Sequence, residues 1–204
     1  MHIIFTLIAA IWLCSLPVRA SGFGRCPKYP SMPKYNMTKF TGKWYEVERS
    51  FYLPEIAAGC TTLSFQPVNM SEDLEADYGR LEVAIKTVNQ WTGNPSVSLG
   101  FALPESENSS IMHFQLSSRL PTALARLLPG SGKYQILFTD YDNFAILWSC
   151  FNFGFAHTDQ IWLLGRERDF VFEIRKKIYD ALDQLGLDSD RLVISKNKNC
   201  PVTL

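Results

Sequence analysis

Leu81-Glu82-Val83-Ala84-Ile85-Lys86 sets Leu81, Val83 and Ile85 on one side of an extended chain, and Glu82 and Lys86 on the other. Strict alternation of this kind marks a half-buried β-strand. Working outward, the same period returns at Met112, Phe114 and Leu116, interleaved with His113 and Gln115, and again at Tyr134, Ile136 and Phe138. Eight strands are expected, over Lys43–Phe51, Cys60–Val68, Gly79–Val88, Ser96–Leu103, Ile111–Ser117, Lys133–Thr139, Phe144–Phe151 and His157–Gly165. They recur about every ten to twenty residues, the spacing of a sandwich or barrel. Val171–Leu185 changes period: Ile174, Ile178, Leu182 and Leu185 recur at helical spacing, with Arg175, Lys176, Lys177 and Asp183 opposite them. Asp169 is placed to cap the start of this helix and Gly186 to stop it. A short strand over Leu192–Ser195 and an extended Cys200-Pro201 tail follow. The expected fold is all-β, an eight-stranded up-and-down antiparallel barrel with one C-terminal α-helix packed outside. Such a barrel has room for side chains or for one small ligand.

The rest of the chain places this barrel outside the cell. Ile3–Leu16 is an apolar run broken only by Thr6 and Ser15, Pro17 ends it, and Val18-Arg19-Ala20 supplies a small-residue cleavage site. Residues 1–20 therefore read as a secretory signal peptide, and 21–204 as a single domain. Loss of Arg19 leaves 19 basic against 20 acidic side chains. That balance argues against nucleic-acid binding, which needs a net basic face. Hydrophobic residues at 47% exclude a disordered chain, and no internal stretch has the length of an apolar membrane span. Cys14 leaves with the signal, so Cys26, Cys60, Cys150 and Cys200 remain, an even number that suggests two disulfides without choosing among three pairings. Asn36, Asn69 and Asn108 each open a glycosylation sequon, whereas Asn94 is excluded by Pro95. With no C-x-x-C pair and three histidines, no metal, cofactor or catalytic constellation is expected. The sequence specifies no oligomeric state.

Three short motifs add a resemblance. Gly42-Lys43-Trp44-Tyr45 opens the first strand, Thr139-Asp140-Tyr141 fills the turn between the sixth and seventh, and Arg166 ends the eighth. In that order and strand context they resemble the signature regions of the lipocalins. The likeness is closer still to apolipoprotein D and its insect relatives. It is carried by Arg25-Cys26-Pro27, Phe40–Glu48, Thr139–Ala145, Trp148-Ser149-Cys150 and Asn199-Cys200-Pro201. The resemblance implies that Gly42, Trp44, Thr139, Asp140, Tyr141 and Arg166 mark the fold rather than a reaction. Arg166 would stack over Trp44 at the barrel floor, a cation–π contact worth about 0.5–2 kcal/mol. It also implies the pairing Cys26–Cys150 and Cys60–Cys200. A prostaglandin-synthesising relative works through a pocket cysteine; here all four cysteines are taken by disulfides, which argues against that chemistry.

Lipocalins bind one apolar small molecule on the inner face. Strand phase then places Phe65, Ile85, Met112, Phe114, Tyr134, Ile136, Leu147 and Trp162 inside. The fourth strand stays open: alternation turns Val97, Leu99 and Phe101 inward, while alignment around Gly100 turns them outward. Successive loops alternate between the two ends. One end, the mouth, gathers apolar residues: Leu53, Ile56, Leu124, Leu127, Phe153 and Phe155 are expected either to contact a membrane or lipoprotein surface or to fold over the mouth and bury one another. The other gathers Glu72, Asp73, Glu75, Asp77, Glu105, Glu107, Asp140 and Asp142, together with sequons at Asn69 and Asn108 and, nearby, Asn36. The expected function is transport of a small hydrophobic ligand of the fatty-acid, sterol or retinoid class, secreted and without catalysis. The alternatives are a bilin-binding pigment carrier, a lipid-modifying or antioxidant enzyme on the same fold, and a protein-binding or signalling ligand that uses the barrel as scaffold.

Overall fold

The computed structural model describes residues 21–51, 56–68, 79–117 and 132–201, so the apolar leader lies outside it. Eight strands run antiparallel in chain order: β2 (Gly42–Ser50), β3 (Ala58–Pro67), β4 (Leu81–Asn89), β5 (Pro95–Pro104), β6 (Ile111–Leu116), β7 (Gly132–Thr139), β8 (Phe144–Phe153) and β9 (Ala156–Gly165). β9 pairs back onto β2, from Tyr45 opposite Gly165 to Arg49 opposite Trp162, and this closes the barrel. Each observed strand overlaps its expected one, and ends differ by two residues or fewer.

Two short strands lie outside the ring. β1 (Ser21–Phe23) pairs with β9 beyond the point where β2 leaves it, and β10 (Leu192–Ile194) pairs with the far half of β2. β2 and β3 are paired only through Tyr45 and Thr62, and the C-terminal tail occupies the opening beyond. There Ser195 N donates to Val47 O and Cys60 N to Lys196 O, and the Cys60–Cys200 disulfide holds the tail down. The Cys26–Cys150 bond fastens the N-terminal segment to β8. Both pairings agree with the resemblance. They bridge 124 and 140 residues, so each removes much freedom from the unfolded chain, on the order of 2–5 kcal/mol.

The apolar residues divide into two cores. The inner one lies inside the barrel. The outer one sandwiches Val47, Ile146, Trp148, Ile161 and Leu163 between the barrel wall and α2 (Phe172–Gln184), whose Ile178 and Leu182 are fully buried. The expected helix face is therefore the packed one. Its expected cap is not: Val171 takes the N-cap position with no side-chain bond, and Asp169 Oδ1 instead accepts from Phe170 N and the Arg175 guanidinium. Gly186, at φ +67°, ends the helix as expected. A one-turn helix, α1 (Met37–Phe40), was not anticipated; Asn36, read only as a sequon, caps it by accepting from Lys39 N.

The fourth barrel strand takes the phase that plain alternation disfavours. Gly100 lies opposite Val83 and Ala102 opposite Leu81, so Ser98, Gly100 and Ala102 face in, while Val97 and Leu99 are 56% and 57% exposed. The reason is space. A Cβ on Gly100 would stand 2.2 Å from Gln115 O, so the crossing of β5 and β6 admits only the smallest residues.

A buried ion pair locks the outer core to the tail. Asp159 accepts two bonds of 2.7 Å from Arg191, in the turn before β10, and one of 3.0 Å from Trp148 Nε1. Burial pushes the Asp159 carboxyl up, but the hydrogen bonds from Arg191 and Trp148 and the arginine charge outweigh it and hold the group below its ordinary range. The stability this contributes is present above the unfolded carboxylate's pKa of about 4 and is lost as pH falls through the lower folded value. Asp159→Asn should therefore cost about 3 kcal/mol at neutral pH by stranding Arg191. Urea unfolding at pH 7 and pH 3 should show that deficit shrinking in acid.

Candidate ligand site

The site is built from its closed end. The N-terminal segment crosses beneath the barrel: Tyr29 packs edge-on against Trp148, Gln135 Nε2 donates to the carbonyls of Tyr29 and Pro30, and Ser110 Oγ accepts from Met32 N. α1 then brings Phe40 under Trp44, whose indole donates to Phe40 O at 2.8 Å. Arg166 lies 3.7 Å over the Trp44 ring and donates to the carbonyls of Lys39, Thr41, Lys43 and Tyr141. Burial lowers the Arg166 pKa, opposed by Asp142 and Asp140, but a guanidinium keeps its charge at any physiological pH. Gly42 sits at φ +97°, and a Cβ there would approach Arg166 Nη1 to 3.3 Å.

The turn between β7 and β8 is equally determined. Asp140 Oδ1 accepts from Asn143 N and Phe144 N, Thr139 Oγ1 donates to Phe144 O and accepts from Tyr141 N, and Tyr141 OH accepts from Asn36 N. All six motif residues thus meet at one end of the barrel and hold it shut.

All eight expected ligand positions fall in the single inner cluster. Phe65, Met112, Phe114, Tyr134, Ile136 and Leu147 are buried in it, and Ile85 and Trp162 are half-buried against it. Their rings form a row: Trp162 to Tyr134 at 5.4 Å, Tyr134 stacked on Phe114 at 4.5 Å, Phe114 to Phe65 at 5.9 Å, and Phe65 to Phe40 at 5.0 Å. The cluster also contains Tyr35, Phe40, Leu63, Leu81, Val83, Ala102 and Leu164, which the expected set omits. Leu81 and Val83 were legible, since they alternate with Ile85. A separate shallow groove of about 350 Å³ opens on the outer face of β3–β5 beside Glu82, Leu99 and Phe101, away from this interior.

Glu46 follows Trp44 onto the inner face by alternation, but Arg49 could not be read that way. A bulge at Val47 sends Val47 and Glu48 to the outer side, where Glu48 accepts from Tyr179 OH and pairs with Arg175. Burial and Glu48 push the Tyr179 phenol up to about 12. Glu46, before the bulge, lies opposite Leu164, and the bulge turns Arg49 inward opposite Trp162. They pair there at 3.1 Å, and Ser195 Oγ donates to Glu46 at 2.7 Å.

At the mouth, Ile56 is 41% exposed and Phe155 80%, and Phe153 belongs to β8 opposite Ala156. Leu53, Leu124 and Leu127 lie outside the described residues. Trp91, at 72%, and Phe23, at 90%, stand at the same end. Gly24 N donates to Phe155 O and Gln90 N to Ala57 O, so Phe23 joins Phe155 on one side of the opening, and Trp91 joins Ile56 on another. At the closed end Asn36 and Asn108 are exposed, and Asn69 lies outside the described residues. The acidic residues 72–77 are also outside the described residues; Lys39, Lys43, Arg166 and Arg168 balance the described acids, so the described floor is of mixed charge. These cations come from α1 and the strand ends, which the loops alone do not represent. Among the described residues no group of His, Cys, Asp or Glu is arranged to hold a metal, and no helix is long and apolar enough to cross a membrane.

Comparison with known proteins decides the family. The model of the lipocalin / cytosolic fatty-acid binding protein family matches residues 122–199. Apolipoprotein D of Cavia porcellus is 30% identical over 201 residues, covering 96% of this chain and 96% of its own. The chain belongs to the lipocalin family. The Lazarillo protein of Schistocerca americana is 28% identical over 193 residues, covering 92% of this lipocalin and 82% of its own length. Among solved structures, insecticyanin of Manduca sexta superimposes with a TM-score of 0.69 at 16% identity, covering 88% of this chain and 89% of that one. The tryptamine complex of the amine-binding protein of Rhodnius prolixus gives 0.57 at 15%, covering 83% and 85%. These last two share the fold.

The motif geometry makes Arg166 a structural clamp. Arg166→Ala should destabilise this lipocalin by about 3 kcal/mol, from the lost ring contact and the carbonyls left unpaired. Arg166→Lys should recover less than half of that, because an ammonium cannot both stack and reach several carbonyls. Thermal unfolding of the three proteins measures both effects.

Proposed function

We propose that this lipocalin is a secreted, glycosylated carrier of a small hydrophobic molecule of the fatty-acid, sterol or retinoid class, and that it performs no catalysis. Binding of a small hydrophobic ligand is what membership of the family supports. One observation carries the reading: the inner face of the barrel is a continuous aromatic and aliphatic lining, shut at one end by Trp44 and Arg166. Such a lining recognises apolar surface and fixes orientation through few polar groups. The Tyr134 hydroxyl, the Trp162 indole and the Glu46–Arg49 pair are the polar groups on this face that the proposal draws on. Two disulfides fit an oxidising compartment, in keeping with a leader removed after Ala20 and with glycans on Asn36, Asn69 and Asn108.

Exchange with a membrane or lipoprotein surface is the second part of the proposal. Phe23, Trp91 and Phe155 expose large apolar side chains at the mouth. Aromatic residues of this kind favour the boundary between water and lipid.

Organic extraction of protein secreted from eukaryotic cells, followed by mass spectrometry, should release a lipid in near-stoichiometric amount. A bilin in its place would make this a pigment carrier. A clean extract from a protein that also binds no added fatty acid, retinoid or sterol would defeat the carrier reading. In liposome flotation, Trp91→Asp and Phe155→Asp should each reduce the bound fraction severalfold; retention equal to the unsubstituted protein would remove membrane docking from the proposal.

A further inference from the structure

Tyr35 lies in the segment that crosses beneath the barrel, one residue before the cap of α1. It is 2% exposed and belongs to the inner cluster, with its ring centroid 5.9 Å from Phe40 and 6.2 Å from Tyr141. Its hydroxyl is buried and has no hydrogen-bond partner. The polar groups around it are satisfied: Tyr141 OH accepts from Asn36 N, the Trp44 indole donates to Phe40 O, and the Arg166 guanidinium is committed to four carbonyls. Buried hydroxyls without partners are rare in folded proteins, because the group gives up its bonds to water and gains none. Phenylalanine would fill the same space without that cost.

The row of rings leads to this group. Trp162, half-buried, touches Tyr134, and the row continues through Phe114, Phe65 and Phe40 to Tyr35. We infer that the Tyr35 hydroxyl is the polar anchor at the closed end of the barrel. It selects a ligand whose leading tip carries a neutral oxygen, an alcohol, aldehyde or ketone, over one tipped by a carboxylate. The inference rests on the carrier reading and narrows its ligand class.

The discrimination follows from the surroundings. Tyr35 is packed among apolar and aromatic side chains, with Met32 and Met37 against the same cluster. Burial pushes its phenol well above the ordinary range, so it stays a hydrogen-bond donor at physiological pH. The same medium penalises a carboxylate brought beside it, and the Arg166 guanidinium at this end is already engaged with Trp44 and the backbone. A neutral carbonyl or hydroxyl oxygen accepts the Tyr35 proton without burying a charge.

The test compares the secreted protein with its Tyr35→Phe variant. Binding of two matched pairs, retinol with retinoic acid and hexadecanol with hexadecanoic acid, is measured by native mass spectrometry, and unfolding is followed without ligand. The unsubstituted protein should prefer the alcohol of each pair it binds. Tyr35→Phe should weaken alcohol binding about tenfold, the loss of one hydrogen bond to an otherwise buried oxygen. It should leave acid binding unchanged and unfold at the same or a higher temperature. Equal alcohol affinity in both proteins, a preference for the acids, or a clear fall in the variant's unfolding temperature would each overturn the assignment. Uptake of none of the four probes would overturn the carrier reading with it.

Discussion

The Arg166 guanidinium stacked on Trp44 is the contact on which the rest of the barrel depends. A β-barrel needs both a closed hydrogen-bonded ring and an interior that water does not enter. The β2–β9 ladder closes the ring. Arg166, at the end of β9, reaches across that seam to the start of β2, to α1 and to the β7–β8 turn, and so seals one end. The cation is affordable because the ring face and four carbonyls replace its hydration. With that end sealed, the aromatic row above it has a floor to stand on.

The outer core has a different task. α2 and the N-terminal segment cover the apolar outer faces of β8 and β9, and two buried charge clusters hold them in register. Asp159 draws Trp148 to the turn before β10, and Glu48 draws Tyr179 and Arg175 onto β2. Both disulfides tie a chain end to the wall. Stability is thus concentrated outside the barrel and at its closed end, and the mouth is left to loops.

Much of the inner cluster was legible from strand period, once the resemblance said which face is the inner one. Residues two apart on a strand share a face whatever the partner strand does, and the eight expected lining positions therefore meet in one cluster. Period alone does not settle β2 and β5. The bulge at Val47 shifts the phase of β2, turns Glu48 outward and brings Arg49 inward beside Glu46. In β5, apolar Val97, Leu99 and Phe101 alternate as a core row would, yet the close crossing at Gly100 puts small residues inside and leaves that row on the surface. Asp169 looked like a helix cap but found a better partner in Arg175. Tyr35 carried no signal, because a lone tyrosine before a sequon says nothing about whether its hydroxyl is satisfied.

The sequence by itself determined the strand set, the helix, the sealing motifs and which residues could pair as disulfides, since these depend on local period and on residue chemistry at fixed positions. The tertiary structure alone decided the phase of β5, the inward charge pair, the tail filling the gap between β2 and β3, and the unpaired hydroxyl of Tyr35. Each of those depends on how closely two segments distant in sequence approach, and a bulge of one residue or a crossing that excludes a single Cβ is enough to reverse them.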